Sequence, residues 1–398
     1  MSFTGDLICK LPQLKVAKKG DSFDFSPVFY KIAPLFDKSD YVCGNLETPI
    51  AGAELGYTSS ASNFNTPIEF VEAAREAGFS FFSLANNHCL DRGLQGLFNT
   101  IDSLIKCNLA FTGCYKERSS SEFPFIVTVE GIKVAILSYT YGTNSQWLNN
   151  ELADDERDLV DLFRKQDNYI PRSHGAFTSA LSPLKPLIKK ILPQSLREKI
   201  RPIVINDCVD SPDLLPEDEY YDHRLQNKIR IAKENADIVI MYMHSGGQFN
   251  SAVGKYTKNL AHRLVEYGCD VVVGSHPHCV LNFEQYRGSF VFYSLGNFCY
   301  TPSYGYHYDG VYSDYSAVLH LYLDTISKGL ERVSLSITKT VLMDDGNSVV
   351  FPLSQLIQSA SGTQRQQLIY DYQSVIRRFF GRDVDVDYGE TEIDVITI

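Results

Sequence analysis

A chain of 398 residues, 44% hydrophobic and 21% charged, holds enough apolar material for a sizeable core, so disorder is not its default. Its formal net charge of −11 disfavours a general affinity for nucleic acid phosphates, and no basic, aromatic-interleaved stripe argues otherwise; metal cations suit the balance better. Nine cysteines without CxxC pairs read as reduced, mostly buried thiols rather than a disulfide framework.

The N-terminus, Met1-Ser2-Phe3-Thr4-Gly5-Asp6, runs straight into strand-like sequence with no basic n-region and apolar h-region, and no run approaches the length of a membrane span. As given, the chain reads as cytoplasmic; a membrane-associated or exported protein trimmed of its leader would read the same. Phe3 to Cys9 predicts a first strand beside Asp6, and Tyr41 to Gly44 a second one ending in Asn45-Leu46-Glu47. Between them Phe29 to Phe36 is helix-like, and Pro67 to Ala77 predicts a helix closed by Gly78. Phe79 to Ala85 is β-prone and nearly uncharged, whereas Leu94, Leu97, Phe98, Ile101 and Leu104 recur at helical spacing. The cluster Asn86-Asn87-His88-Cys89-Leu90-Asp91 therefore occupies a strand-to-helix turn, which is where open α/β sheets bind ligands. Ordinary turn and cap residues would read the same at that point.

Phe125 to Val129 and Ile132 to Thr140 predict a hairpin around Glu130-Gly131, leading to Asn144. From about 147 to 230 the character changes: an acidic stretch precedes a basic amphipathic one carrying Lys185, Lys189, Lys190, Arg197 and Lys199. The segment reads as an inserted helical cap, with a solvated surface elaboration as the plainer alternative; Pro193 argues against a membrane-surface helix. Arg224 to Asn235 resumes the core pattern as a helix, and Ala236 to Met243 reads as a buried parallel strand ending at His244. The unit repeats with a helix from Thr257 to Tyr267 and a strand from Asp270 to Val273, followed by Gly274-Ser275-His276-Pro277-His278. A second hairpin turns at Arg287-Gly288 and precedes Asn297; Ala317 to Leu323 and Val333 to Lys339 supply further strands. Ser354 to Phe380 reads as helix and the last acidic residues as peripheral. The expected organisation is one domain over 1–398, with 147–230 inserted and 345–398 as a C-terminal helical extension.

Collected, the strand-end polar residues are three carboxylates, two carboxamides and four imidazoles, a donor mixture that suits two divalent ions such as Mn, Zn or Fe better than Mg or Ca. Asp6, Glu47, Asn87, His244, His276 and His278 are the candidate metal ligands, with Asp6 and Glu47 as terminal and bridging groups. His88, adjacent to Asn87, is the candidate proton donor and Asp91 its orienting partner; a helix cap for Asp91 and a packing role for His88 are the alternatives. Asn45, Asn144 and Asn297 are candidate substrate contacts. Two such ions activate a water, so hydrolysis of a phosphoester or an amide needs no protein nucleophile. The absence of a GxSxG elbow, a P-loop or a GxGxxG after a strand agrees.

Gly5-Asp6, Asn45-Leu46-Glu47, Asn86-Asn87-His88 with Asp91 and Gly93, His244, Gly274-Ser275-His276-Pro277-His278 and Tyr293-Ser294-Leu295-Gly296-Asn297-Phe298 together resemble the CapA, or poly-γ-glutamate capsule biosynthesis, family. The resemblance runs from about residue 2 to 340. It implies a four-layer αββα metallophosphoesterase-like sandwich and an association with poly-γ-glutamate capsule assembly, export or trimming in bacteria. After His244 the family usually carries a tryptophan, then glycine and an acidic-aromatic pair, where this chain has Ser245-Gly246-Gly247-Gln248-Phe249. The leading expectation is a metal-dependent hydrolase of an anionic polymer or phosphorylated substrate, working alongside capsule biosynthesis proteins. The other is a non-catalytic polymer-binding or export subunit of a capsule assembly complex.

Overall fold

The computed structural model describes residues 1–60, 63–166, 218–302 and 310–397. In chain order the strands are β1 (Ser2–Leu7), β2 (Lys18–Lys19), β3 (Ser22–Phe23), β4 (Val42–Leu46), β5 (Phe81–Ser83), β6 (Ala110–Thr112), β7 (Phe125–Val129), β8 (Ile132–Thr140) and β9 (Ile238–His244). They continue as β10 (Val271–Ser275), β11 (Phe283–Tyr286), β12 (Ser289–Phe292), β13 (Asn297–Cys299), β14 (Tyr315–Leu323), β15 (Leu330–Leu342), β16 (Ser348–Pro352) and β17 (Ile393–Thr397). One sheet runs β16-β15-β14-β1-β4-β5-β6, with β13 also on β1 and β17 on β15; the other runs β11-β12-β10-β9-β8-β7.

Side-chain alternation decides the layering. In β10, Val271 and Val273 point into the core between the sheets, which they share with Phe3, Cys43 and Phe81 of the first sheet. Val272 points the other way, against Leu260 and Leu264 of the helix Lys255–Tyr267 and Ile229 of the helix Glu219–Asn235. On the far face of the first sheet, Leu7, Leu46 and Phe82 pack on Leu97, Ile101 and Leu104 of the helix Gly93–Lys106. The result is helix, sheet, sheet, helix, the expected αββα order, with each fully buried aliphatic side chain stabilising it by about 1.5–3 kcal/mol. The helix Gly362–Phe380 packs Leu368, Tyr372, Val375 and Phe379 against the core between the sheets.

Several expectations shift in detail. The single helix over Phe29–Phe36 is two short ones, Ser26–Phe29 and Ala33–Phe36, because Pro34 lacks the N–H that would continue the first. Both hairpins form where expected, with Glu130, Gly131, Arg287 and Gly288 at positive φ. Acidic residues at the tail's end are not all peripheral, since β17 pairs with β15 and Arg332 holds Glu392 at 2.6 Å. All eight cysteines among the described residues are buried and unbridged.

Within the excursion over 147–230, the five basic residues from Lys185 to Lys199 lie outside the described residues. Its described ends belong to the framework. Val160 bridges Cys114 and Leu162 bridges Thr140, and the helix Glu219–Asn235 starts before the expected Arg224 and covers the second sheet. There Lys228 Nζ stands 2.6 Å from Asp161, both side chains buried, and Tyr115 donates to the same carboxylate at 2.7 Å.

Candidate metal centre

The strands that end in polar residues are parallel and in register, so their C-terminal ends open on one cleft from two sheets. In the first sheet Asp6 lies opposite Asn45 of β4 on one side and Asn297 of β13 on the other. In the second, His244 of β9 lies between Thr140 of β8 and Ser275 of β10. Close backbone approach is enforced by glycine: a Cβ on Gly5 would sit 1.9 Å from the Gly296 carbonyl oxygen, and one on Gly274 would sit 2.1 Å from that of Tyr293.

Asp6, Glu47, His244, His276 and His278 converge here, all buried. Ligand atoms of Asp6, Glu47 and His244 lie within 4.8 Å of one another, and so do those of Glu47, His276 and His278. Glu47 therefore belongs to both groups, the position expected of a bridge. Both of its carboxylate oxygens lack a hydrogen-bond partner, as do both ring nitrogens of His276. The His276 ring is held by aromatic contacts instead, 4.6 Å from Tyr141 and 4.8 Å from His244 between centroids. Its backbone N–H donates to Asp6 at 3.3 Å. His276 and His278 both take positive φ, +95° and +56°, an uncommon conformation for residues with a Cβ that costs on the order of 1–3 kcal/mol each and aims both rings inward around Pro277.

The carboxamides mostly orient these groups. Asn45 donates to Asp6 Oδ1 at 2.8 Å, and Asn86 donates to the Leu46 carbonyl oxygen at 2.8 Å. Asn297 sets its Oδ1 2.9 Å from His278 Nδ1 while donating to the Ser313 carbonyl oxygen at 2.9 Å. Asn45 and Asn297, expected to contact substrate, thus direct their bonds to Asp6 and His278. Asn87, expected as an oxygen ligand, places Oδ1 2.8 Å from His244 Nε2 and donates to Asn144 at 3.2 Å. Because a carboxamide oxygen only accepts, the neutral His244 ring carries its proton on Nε2 and accepts from the Ser275 hydroxyl, 2.8 Å away, on Nδ1.

His88 and Asp91 pair as expected, Nδ1 to Oδ2 at 2.8 Å, and the Phe64 N–H donates to the same oxygen at 2.6 Å. Asp91 does not cap the following helix, whose N-cap is Arg92. The His88 ring also packs on Phe64, 4.4 Å between centroids, so orientation and packing coexist.

Burial dominates the electrostatics. It pushes the Glu47 carboxyl well above the usual carboxylate range, with the Asp6 charge adding to the effect and Lys10 opposing it. Burial likewise drives His244 and His276 well below the usual imidazole range, helped by the neighbouring histidines. A desolvated cluster of carboxylates and imidazoles with unpartnered atoms is costly by itself and fits a divalent cation. Sequence reasoning did not single out Lys10, Phe64, Tyr141 or Tyr300, whose proximity comes from loops and strand pairing that leave no local pattern.

Residues 1–301 match the family model described as bacterial capsule synthesis protein PGA_cap, a span that contains every residue of the cluster. The chain belongs to this family. Among PGA_cap relatives, the capsule biosynthesis protein CapA of Bacillus anthracis is 27% identical over 276 residues, covering 69% of this chain and 53% of that protein. The PGA biosynthesis protein CapA of Bacillus subtilis (strain 168) is 26% identical over 302 residues, covering 75% and 62%. This PGA_cap chain thus spans less than two thirds of the length of those relatives. A solved structure, TT1561 of Thermus thermophilus, overlaps 83% of this chain and 96% of its own at 10% identity, with a TM-score of 0.36 that carries no weight here. Among the described residues no helix is long and apolar enough to cross a membrane.

Proposed function

We propose that this chain is a metal-dependent hydrolase acting on a γ-glutamyl amide or a phosphoester in poly-γ-glutamate capsule biosynthesis or processing. The observation that carries the reading is Glu47, a fully buried carboxylate without hydrogen-bond partners, shared by two groups of ligand atoms. Asp6, Glu47, His244, His276 and His278 would hold divalent metal, and the sharing of Glu47 supports two ions. Mixed oxygen and nitrogen donors favour Mn, Zn or Fe. Such ions supply water ionised near neutral pH and polarise the substrate's electrophilic group.

The chain's own residues do the rest. Asn45 and Asn297 hold Asp6 and His278 in place, as supporting groups around metal ligands do. His88 keeps Nδ1 on Asp91, which leaves Nε2 to deliver a proton to the leaving group. The relatives' names support the capsule setting. A non-catalytic polymer-binding or export subunit would have no use for an oriented proton donor beside the ligands, so the His88–Asp91 pair favours the enzyme.

The test is elemental analysis and hydrolysis of poly-γ-glutamate and of aryl phosphoesters by protein supplied with Mn or Zn. His276→Ala should lose metal and turnover together, while His88→Ala should keep the metal and lose turnover. A parent that takes up no metal, or a His276→Ala protein that keeps all of it, would reject the reading.

A further inference from the structure

Lys10 lies just beyond β1, the strand that carries Asp6, with its backbone N–H bonded to Gln13 Oε1 at 3.0 Å. Only 9% exposed, it sets its ammonium over the Tyr300 ring, 4.3 Å from the centroid. No hydrogen bond or ion pair reaches that ammonium among the described residues. Buried lysines are almost always paired, because an ammonium stripped of water needs an opposite charge or several acceptors. The carboxylate that acts on Lys10 is Glu47, and Glu47 is committed to the cluster.

The surroundings say where a counter-charge would come from. Tyr300 forms a small apolar cluster with Ile8 and Phe64, and the Phe64 ring packs on His88. One wall therefore joins Lys10 to the oriented imidazole. An aromatic face under an ammonium favours its charged form, which suits an electrostatic role better than proton transfer. Burial pushes the Lys10 ammonium down to about 8, with Glu47 opposing the shift.

We propose that Lys10 binds an oxyanion of the substrate, a carboxylate or a phosphate, on the wall shared with His88. The proposal rests on the hydrolase reading above and adds the charge of the group recognised. Lys10 is in this sense a positioning residue for the substrate, acting where the described part of the cleft offers carboxylates and neutral imidazoles.

The experiment uses the full chain supplied with Mn, in parent, Lys10→Met, Lys10→Gln and Lys10→Arg forms, after elemental analysis and circular dichroism of each. Calorimetric titration with a short γ-glutamate oligomer and, separately, with inorganic phosphate reads the site. We expect Lys10→Met and Lys10→Gln to keep the parent's metal content and lose about 30-fold or more in affinity for one probe, with Lys10→Arg largely retaining it. The probe that loses affinity tells a carboxylate substrate from a phosphate one. Parent-like binding of both probes by the Met and Gln forms, or a parent that binds neither probe, would overturn the proposal. Metal uptake is scored separately, so a parent without metal refutes the hydrolase reading while the same titrations still decide on Lys10.

Discussion

His244 Nε2 and Glu47 Oε1 stand 3.8 Å apart in the interior, although one closes a strand of the second sheet and the other follows a strand of the first. The cleft is where the two sheets present the same ends of their parallel strands to each other. Each strand contributes one or two polar groups, and only the pair of sheets makes a complete donor set. Glu47 sits at the joint.

Metal should therefore stabilise the protein through Glu47 more than through any neighbour. A ligand bound only by the folded state adds about 2.7 kcal/mol at a free concentration one hundred times its dissociation constant. Protein stripped with chelator and then given Mn or Zn should melt at a higher temperature by differential scanning calorimetry. The increase should largely vanish in Glu47→Ala and persist in His88→Ala. An undiminished increase in Glu47→Ala would remove the residue from the centre.

The buried pair Lys228–Asp161 makes a second, independent expectation. Burial raises the Asp161 carboxyl and lowers the Lys228 ammonium, and each charge opposes that effect on the other. Removing one partner strands the other, so Lys228→Met should cost about 3–5 kcal/mol in urea unfolding. Lys228→Met combined with Asp161→Asn should recover part of that loss. Equal destabilisation by the single and double variants would mean that packing of the lysine stem, not the stranded carboxylate, sets the cost.

His320 should make stability fall in mild acid. Its ring lies 2.8 Å from the Ser2 hydroxyl and 3.0 Å from that of Ser336, and burial pushes its pKa from 6.5 down to about 4, against the pull of Glu392. Between those values the unfolded chain takes up a proton that the folded chain refuses. Its contribution is thus present above pH 6.5 and lost as pH falls towards 4, by roughly 3 kcal/mol in all. His320→Gln should flatten that part of the curve of urea midpoint against pH. Parallel curves for the two proteins would show that other groups carry the acid sensitivity.

What the sequence made legible were features written locally. Val271 to Val273 reads as a buried strand because three branched apolar residues follow one another, and Glu130-Gly131 reads as a turn because both positions tolerate positive φ. His276 and His278 could be picked out because each follows a strand of that kind. The partners of those groups were harder. That Asn87 would meet His244 and Asn297 would fix His278 depends on pairings between residues far apart in sequence. Lys10 looked like an ordinary charge after a strand; its burial arises only when β13 docks beside β1 and brings Tyr300 with it. His320 sat in an alternating strand with no sign that both ring nitrogens would be met by serine hydroxyls.

The pairing of β1 with β13 also fixes when the site can come into being. Asp6 and Asn297 are neighbours across that ladder, so the first of the polar groups to leave the ribosome waits for almost the last before its surroundings exist. Contacts so distant along the chain form slowly, after local helices and hairpins have already condensed. A nascent chain halted before residue 297 would carry Asp6 and Glu47 without the β13 partner of Asp6. Capture of a cation by the full cluster would then belong to the end of folding, as a mark of completion rather than a seed for it.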